Sequence, residues 1–182
     1  MARLLCIVFL IYGPATLAET LLEAGVHSGG DELIIDNYSN GAKDSSNAGD
    51  LFSFAIGGTK SFTKNIEGQL SIGVKSNIIN TTEPEVTWVR YPLNAIVFYR
   101  SETYRIGLGI TTHFSPKLKG NGVASNISEG YKDAIGGLFE VDFTINKHFL
   151  WGIRYTSINY ESNLRNRNVK GNSLGLLIIA LI

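Results

Sequence analysis

Two neighbourhoods of the sequence carry side chains whose type and spacing could do chemistry. The first is His113-Phe114-Ser115, with Glu129 downstream. On an extended strand, residues two apart share a face. His113 could then serve as a base for a Ser115 nucleophile, with Glu129 orienting the imidazole. A second account needs no reaction: His113 ends a row of inward polar residues and Ser115 begins a loop. The surroundings supply no catalytic motif, and the chain is read as a non-enzyme.

The second neighbourhood is acidic: Asp31, Glu32, Asp36, Asp44 and Asp50 fall in or beside one polar segment, where divalent cations bridging lipopolysaccharide could bind. No metal-ligand spacing runs through them, so they read as a solvated loop without a metal or other cofactor. Gly29-Gly30 and Gly57-Gly58 read as strand adjustments, because no phosphate-loop pattern surrounds either pair.

More telling is a set of ionisable residues scattered along the chain but confined to one parity of its alternating segments. These are Glu23, His27, Glu67, Lys75, Arg90, Arg100, Arg105, His113, Glu140, Asp142 and Arg154. In the clearest segment Tyr104, Ile106, Leu108, Ile110, Thr112 and Phe114 share one face, and Arg105, Gly107, Gly109, Thr111 and His113 share the other. A period of two marks a strand with unlike faces.

Similar segments run over 21–28, 51–62, 66–76, 86–100, 133–143, 148–156 and 173–182, giving eight strands. The connections alternate in length. Short turns at 63–65, 101–103 and 144–147 separate long polar connections at 29–50, 77–85, 115–132 and 157–172. That alternation predicts an all-β, eight-stranded antiparallel up-and-down transmembrane β-barrel with four long extracellular loops and three short periplasmic turns.

The collected apolar face contains no charge on any strand. A lipid-facing Arg or Lys at mid-depth costs about 2–4 kcal/mol, so hydrocarbon solvent requires such exclusion. Tyr99 and Tyr104 flank one turn and Phe143 and Phe149 another, where interface aromatics belong. On the opposite face four acids meet five Lys or Arg side chains, and glycines lie between them. An eight-stranded barrel is just wide enough for its side chains to fill it, and paired charges inside predict a plugged lumen.

Residues 1–18 read as a secretory signal: Arg3, an apolar run from Leu4 to Tyr12, then the small-residue end Thr16-Leu17-Ala18. Nine apolar residues are too few for a membrane helix, which needs about 17–25. Cleavage after Ala18 would leave 182 − 18 = 164 residues without cysteine, since Cys6 departs, so residues 19–182 form a barrel domain lacking disulfide and thiol chemistry. The 182 residues contain 16 Lys and Arg against 16 Asp and Glu, so no net field favours nucleic acid.

The glycine-punctuated strands Tyr104-Arg105-Ile106-Gly107-Leu108-Gly109-Ile110 and Phe149-Leu150-Trp151-Gly152-Ile153-Arg154-Tyr155 resemble those of the small outer-membrane β-barrel family, over about residues 19–182. The resemblance implies an outer membrane location in a Gram-negative cell envelope and a monomer embedded in lipid and lipopolysaccharide. It also implies delivery by the barrel-assembly machinery. One departure is the C-terminus, Ala180-Leu181-Ile182, where the family usually ends on an aromatic. Leu177, Ile179 and Leu181 also place apolar residues on the inner face, where the alternation fades.

The leading functional expectation is a structural or surface-interaction barrel. Alternatives are a narrow, porin-like channel for small solutes and a lipid-modifying enzyme. The His-x-Ser spacing is similar to that of outer-membrane lipid A deacylases, although their surrounding motif is missing. A soluble lipocalin-like barrel would require the greasy face inside, opposite to the expected placement of the charges.

Overall fold

A computed structural model describes residues 19–37, 43–78, 86–120, 128–164 and 167–182. The expected secretory signal at 1–18 lies outside the described residues. No helix occurs among them; the strands are β1 (Glu19–Ser28), β2 (Glu32–Asn37), β3 (Lys43–Asn47), β4 (Leu51–Ser61), β5 (Ile66–Ile78) and β6 (Val86–Arg100). These continue as β7 (Tyr104–Gly120), β8 (Ser128–Gly130), β9 (Ala134–Thr144), β10 (Phe149–Glu161), β11 (Asn168–Lys170) and β12 (Ser173–Leu181).

Eight of these strands pair antiparallel in the circuit β1-β4-β5-β6-β7-β9-β10-β12. The circuit closes when β12 pairs back onto β1, with Leu22 opposite Ala180 and Val26 opposite Leu176. Partners lead from Glu19 through Thr59, Gln69, Ile96, Gly109, Leu138 and Thr156 to Ser173. Since Leu174 faces Ser28, Ser173 returns the path to position 29, a stagger of 29 − 19 = 10 residues. Eight strands with that stagger tilt about 41° from the axis, for roughly 3.3 Å per residue and 4.7 Å between strands.

The outward face is apolar and exposed, as on Leu108, Ile110, Ile135, Leu70 and Leu176. On β7 it runs from Tyr104 to Phe114; ten steps at that tilt span about 25 Å, the height of an outer-membrane barrel's apolar band. Within the band no described outward residue is charged. Tyr99, Tyr104, Phe143, Phe149 and Trp151 are exposed at the turn end, with Phe143 stacked on Trp151 at 4.7 Å. Phe52, Tyr91 and Tyr155 are exposed toward the other end.

Side chains tighten the turns. Thr63 Oγ1 accepts from the amides of Asn65 and Ile66, and Asn146 Oδ1 from those of His148 and Phe149. At the opposite end the structure departs from the expected plain loops: β7 runs six residues past Phe114 (120 − 114 = 6), β10 reaches Glu161, and β2, β3, β8 and β11 are additional strands. The cause is a β-bulge. Arg90 lies between Val89, which faces Lys117, and Tyr91, which faces Phe114, leaving Ser115 as the extra residue at φ 47°. Inward positions on β7 are odd up to His113 and even from Pro116 onward, so one uninterrupted period of two misreads its end.

Arginine in place of Leu108, midway up the band, should lower unfolding free energy in lipid vesicles by about 2–4 kcal/mol. Urea titration followed by tryptophan fluorescence measures this, and a change under 0.5 kcal/mol would show that the face does not meet hydrocarbon.

Candidate functional site

The inward face holds three tiers of side chains. Nearest the turns, Arg105 from β7 lies between two acids. Its Nε donates to Asp142 Oδ2 at 2.6 Å, its Nη1 to Glu67 Oε1, and its Nη2 to Gln69 Oε1 at 2.9 Å. The guanidinium stacks 4.1 Å from the Phe98 ring centroid. Arg100 donates to the other Glu67 oxygen at 3.0 Å with its side chain 49% exposed, so it forms the rim of this cluster and not its interior.

One step higher, Arg154 from β10 makes a bidentate pair with Glu23 at 2.6 Å for both bonds, and its Nε donates to Glu140 Oε2 at 2.5 Å. Gly152 makes room for the Arg105 tier below, since a Cβ there would collide with the Asp142 carboxylate. Gly107 likewise leaves space for the Phe98 ring. Both arginines are thus bracketed by one acid on the adjacent strand β9 and one acid two strands away, which compensates part of the cost of burying charge.

The third tier is different. Lys75 and Arg90 are buried and directly opposite each other across β5 and β6, yet among the described residues neither forms an ion pair. Lys75 Nζ donates to Ser173 Oγ at 3.1 Å, and Arg90 Nη2 to the Asp50 carbonyl at 2.9 Å. His27 Nε2 shares a hydrogen bond with Ser53 Oγ at 2.8 Å, and His113 Nδ1 one with Tyr160 Oη at 2.6 Å. The expected pairing of inner charges therefore holds for Arg100, Arg105 and Arg154 but not for Lys75 and Arg90.

Apolar layers cap the polar column. At the turn end Leu21, Leu150, Leu177, Ile179 and Leu181 form one cluster, so the fading alternation of the last strand is a core and not a defect. At the loop end Trp88 meets Tyr131 edge-on at 5.0 Å and Tyr160 at 5.4 Å, and Ala48, Leu118, Ile158 and Val169 pack round them. Sequence reasoning missed Trp88, Tyr131 and Tyr160. Trp88 has the parity of the inner face, a signal the sequence did carry, whereas Tyr131 sits in what reads as a polar loop.

The catalytic arrangement that the spacing of His113, Ser115 and Glu129 would allow, set aside above, is not assembled. His113 faces inward onto Tyr160, while exposed Ser115 occupies the bulge with its amide donating to Asp133 Oδ1 at 2.8 Å. Glu129 accepts from Ser162 Oγ at 2.6 Å. In the first loop, Asp50 accepts from the Gly29 amide and Asp31 from the Lys170 amide, so these acids fasten backbone. The side chains of Asp36 and Asp44 lie outside the described part.

No family model and no curated protein matches the sequence. The structure does match solved ones. Ail, the attachment invasion locus protein of Yersinia pestis in complex with the heparin analogue sucrose octasulfate, aligns at 14% identity with a TM-score of 0.56 over 90% of this chain and 97% of that one. Neisserial surface protein A aligns at 12% identity with a TM-score of 0.53, covering 91% and 97%. The fold is that of the small eight-stranded outer-membrane β-barrels. Within such a barrel the tiers just described fill the lumen that a porin leaves open.

Arg154→Met strands Glu23 and Glu140 without their partner and should cost about 3–5 kcal/mol, whereas Arg100→Ala at the rim should cost under about 1 kcal/mol. Equilibrium unfolding of both variants checks the ranking; equal losses would refute the tiered account.

Proposed function

We propose that this chain is a monomeric surface-interaction barrel, exported by residues 1–18 and delivered to the outer membrane by the barrel-assembly machinery. Its loop end faces the outside and engages lipopolysaccharide. The observation that carries this reading is the pairing of a filled lumen with a built-up outer end. Polar tiers lie between two apolar caps, while β6, β7 and β10 continue past the apolar band into additional sheet. That arrangement favours display over conduction.

Lipopolysaccharide is favoured by two lysines. Lys117 and Lys119 are exposed on the outward side of β7, just beyond Phe114 and the end of the apolar band, and neither forms an ion pair among the described residues. Lipid phosphates lie at that height, and each lysine near an anionic surface contributes about 1 kcal/mol. Lys132, by contrast, is paired with Glu161. The Yersinia protein with the same fold was solved with a polyanionic heparin analogue, a ligand of the same charge class.

Replacing Lys117 and Lys119 together by alanine should weaken retention on lipopolysaccharide vesicles at low salt by roughly 10- to 30-fold, the equivalent of about 1 kcal/mol per lysine. The gap from the original protein should shrink as salt rises. Unchanged retention would remove the lipopolysaccharide reading, and steady single-channel current through the original protein would remove the sealed-lumen reading.

A further inference from the structure

We propose that the upper lumen is an occluded site for a small monovalent anion, of the size and chemistry of chloride, held by Lys75, with the charge of Arg90 on the adjacent strand adding to the local positive excess. Like charges facing each other across neighbouring strands destabilise a sheet, and a buried charge without a counterion is costlier still. Both penalties fall on Lys75 and Arg90, which share a register position on the inner face. Arg90 is fully buried with its guanidinium 5.4 Å from the Trp88 ring centroid, and among the described residues its Nε and Nη1 have no hydrogen-bond partner.

Among the described residues, the nearby acids Glu23 and Asp50 both have carboxylate oxygens engaged elsewhere. Glu23, on the wall of the adjoining cavity, has both oxygens bound by Arg154. Asp50 uses Oδ1 on the Gly29 amide and meets Arg90 through its backbone carbonyl, so its carboxylate acts on the two cations from a distance and forms an ion pair with neither.

A cavity of about 20 Å³ opens between Lys75, His27, His113, Asn94 and Glu23. It is large enough for one water-sized occupant, which in a polar site needs two to four partners. Lys75 retains two N–H donors beyond its bond to Ser173, and both histidines can present a ring N–H. A halide accepts from all of these and neutralises the excess positive charge, which a water molecule cannot do.

The aromatic layer of Trp88, Tyr131 and Tyr160 lies over this chamber on the loop side, and the Arg154 cluster lies beneath it. The ion is therefore trapped as the barrel closes and does not pass through.

The full chain, refolded from urea into detergent micelles, provides the test. Thermal unfolding is compared in sodium chloride, sodium bromide and sodium gluconate at equal ionic strength, and crystals grown after refolding in bromide are searched for anomalous scattering. The account expects a midpoint about 3–6 °C higher in either halide than in gluconate, as for one ion present at tenfold its dissociation constant. It also expects a bromide peak beside Lys75 and loss of the halide effect in Lys75→Met. Equal midpoints in all three salts, a chamber without anomalous density, or a Lys75→Met variant that keeps the full halide effect would each overturn the proposal. Should Lys75→Met fail to fold, the bromide peak in the original protein decides.

Discussion

In hydrocarbon a backbone N–H or C=O has no water to turn to, and each one left unpaired costs several kcal/mol. A sheet can live there only without edges. The pairing of β12 with β1, eight residue pairs from Leu21–Leu181 to Ser28–Leu174, removes the last two edges, and the remaining architecture follows from it. Closing eight strands with a stagger of ten fixes the tilt, the tilt fixes how many residues cross the apolar layer, and strand number fixes the width of the lumen.

That width explains why the interior is packed and not empty. Side chains two strands apart reach one another through the lumen, so Arg154 on β10 can hold Glu23 on β1, and Arg105 on β7 can hold Glu67 on β5. Glycines yield space where a guanidinium or ring must lie flat. Apolar layers then separate this polar column from water at each end, which strengthens every charge pair inside and raises the cost of those left unpaired. The uneven distribution is the consequential feature: acids collect around two arginines, and positive charge accumulates under the aromatic lid.

Much of this is legible in the sequence because lipid imposes a strict rule. The outward residues of all eight barrel strands, the two aromatic-flanked turns and the inward placement of Glu23, Glu140, Asp142, Arg105 and Arg154 follow from a period of two and from the exclusion of charge from one face. What escapes does so for local reasons. The Ser115 bulge reverses parity on β7 and separates His113 from the serine that spacing alone puts on its face. Beyond the bulge, alternation persists, but with Lys117 and Lys119 outward, so a rule based on greasy faces stops at Phe114. Which charges pair depends on neighbours across the barrel, and no pattern along one strand reveals that Lys75 faces Arg90.

All of these features depend on the barrel being closed, filled and seated in the outer membrane. Cell fractionation followed by electrophoresis of the protein with and without boiling tests it most directly, since closed barrels in detergent keep their compact form until heated. A closed barrel is expected to be recovered with outer-membrane markers and to change mobility only on boiling. Recovery in a soluble periplasmic fraction, with one mobility before and after heating, would contradict it.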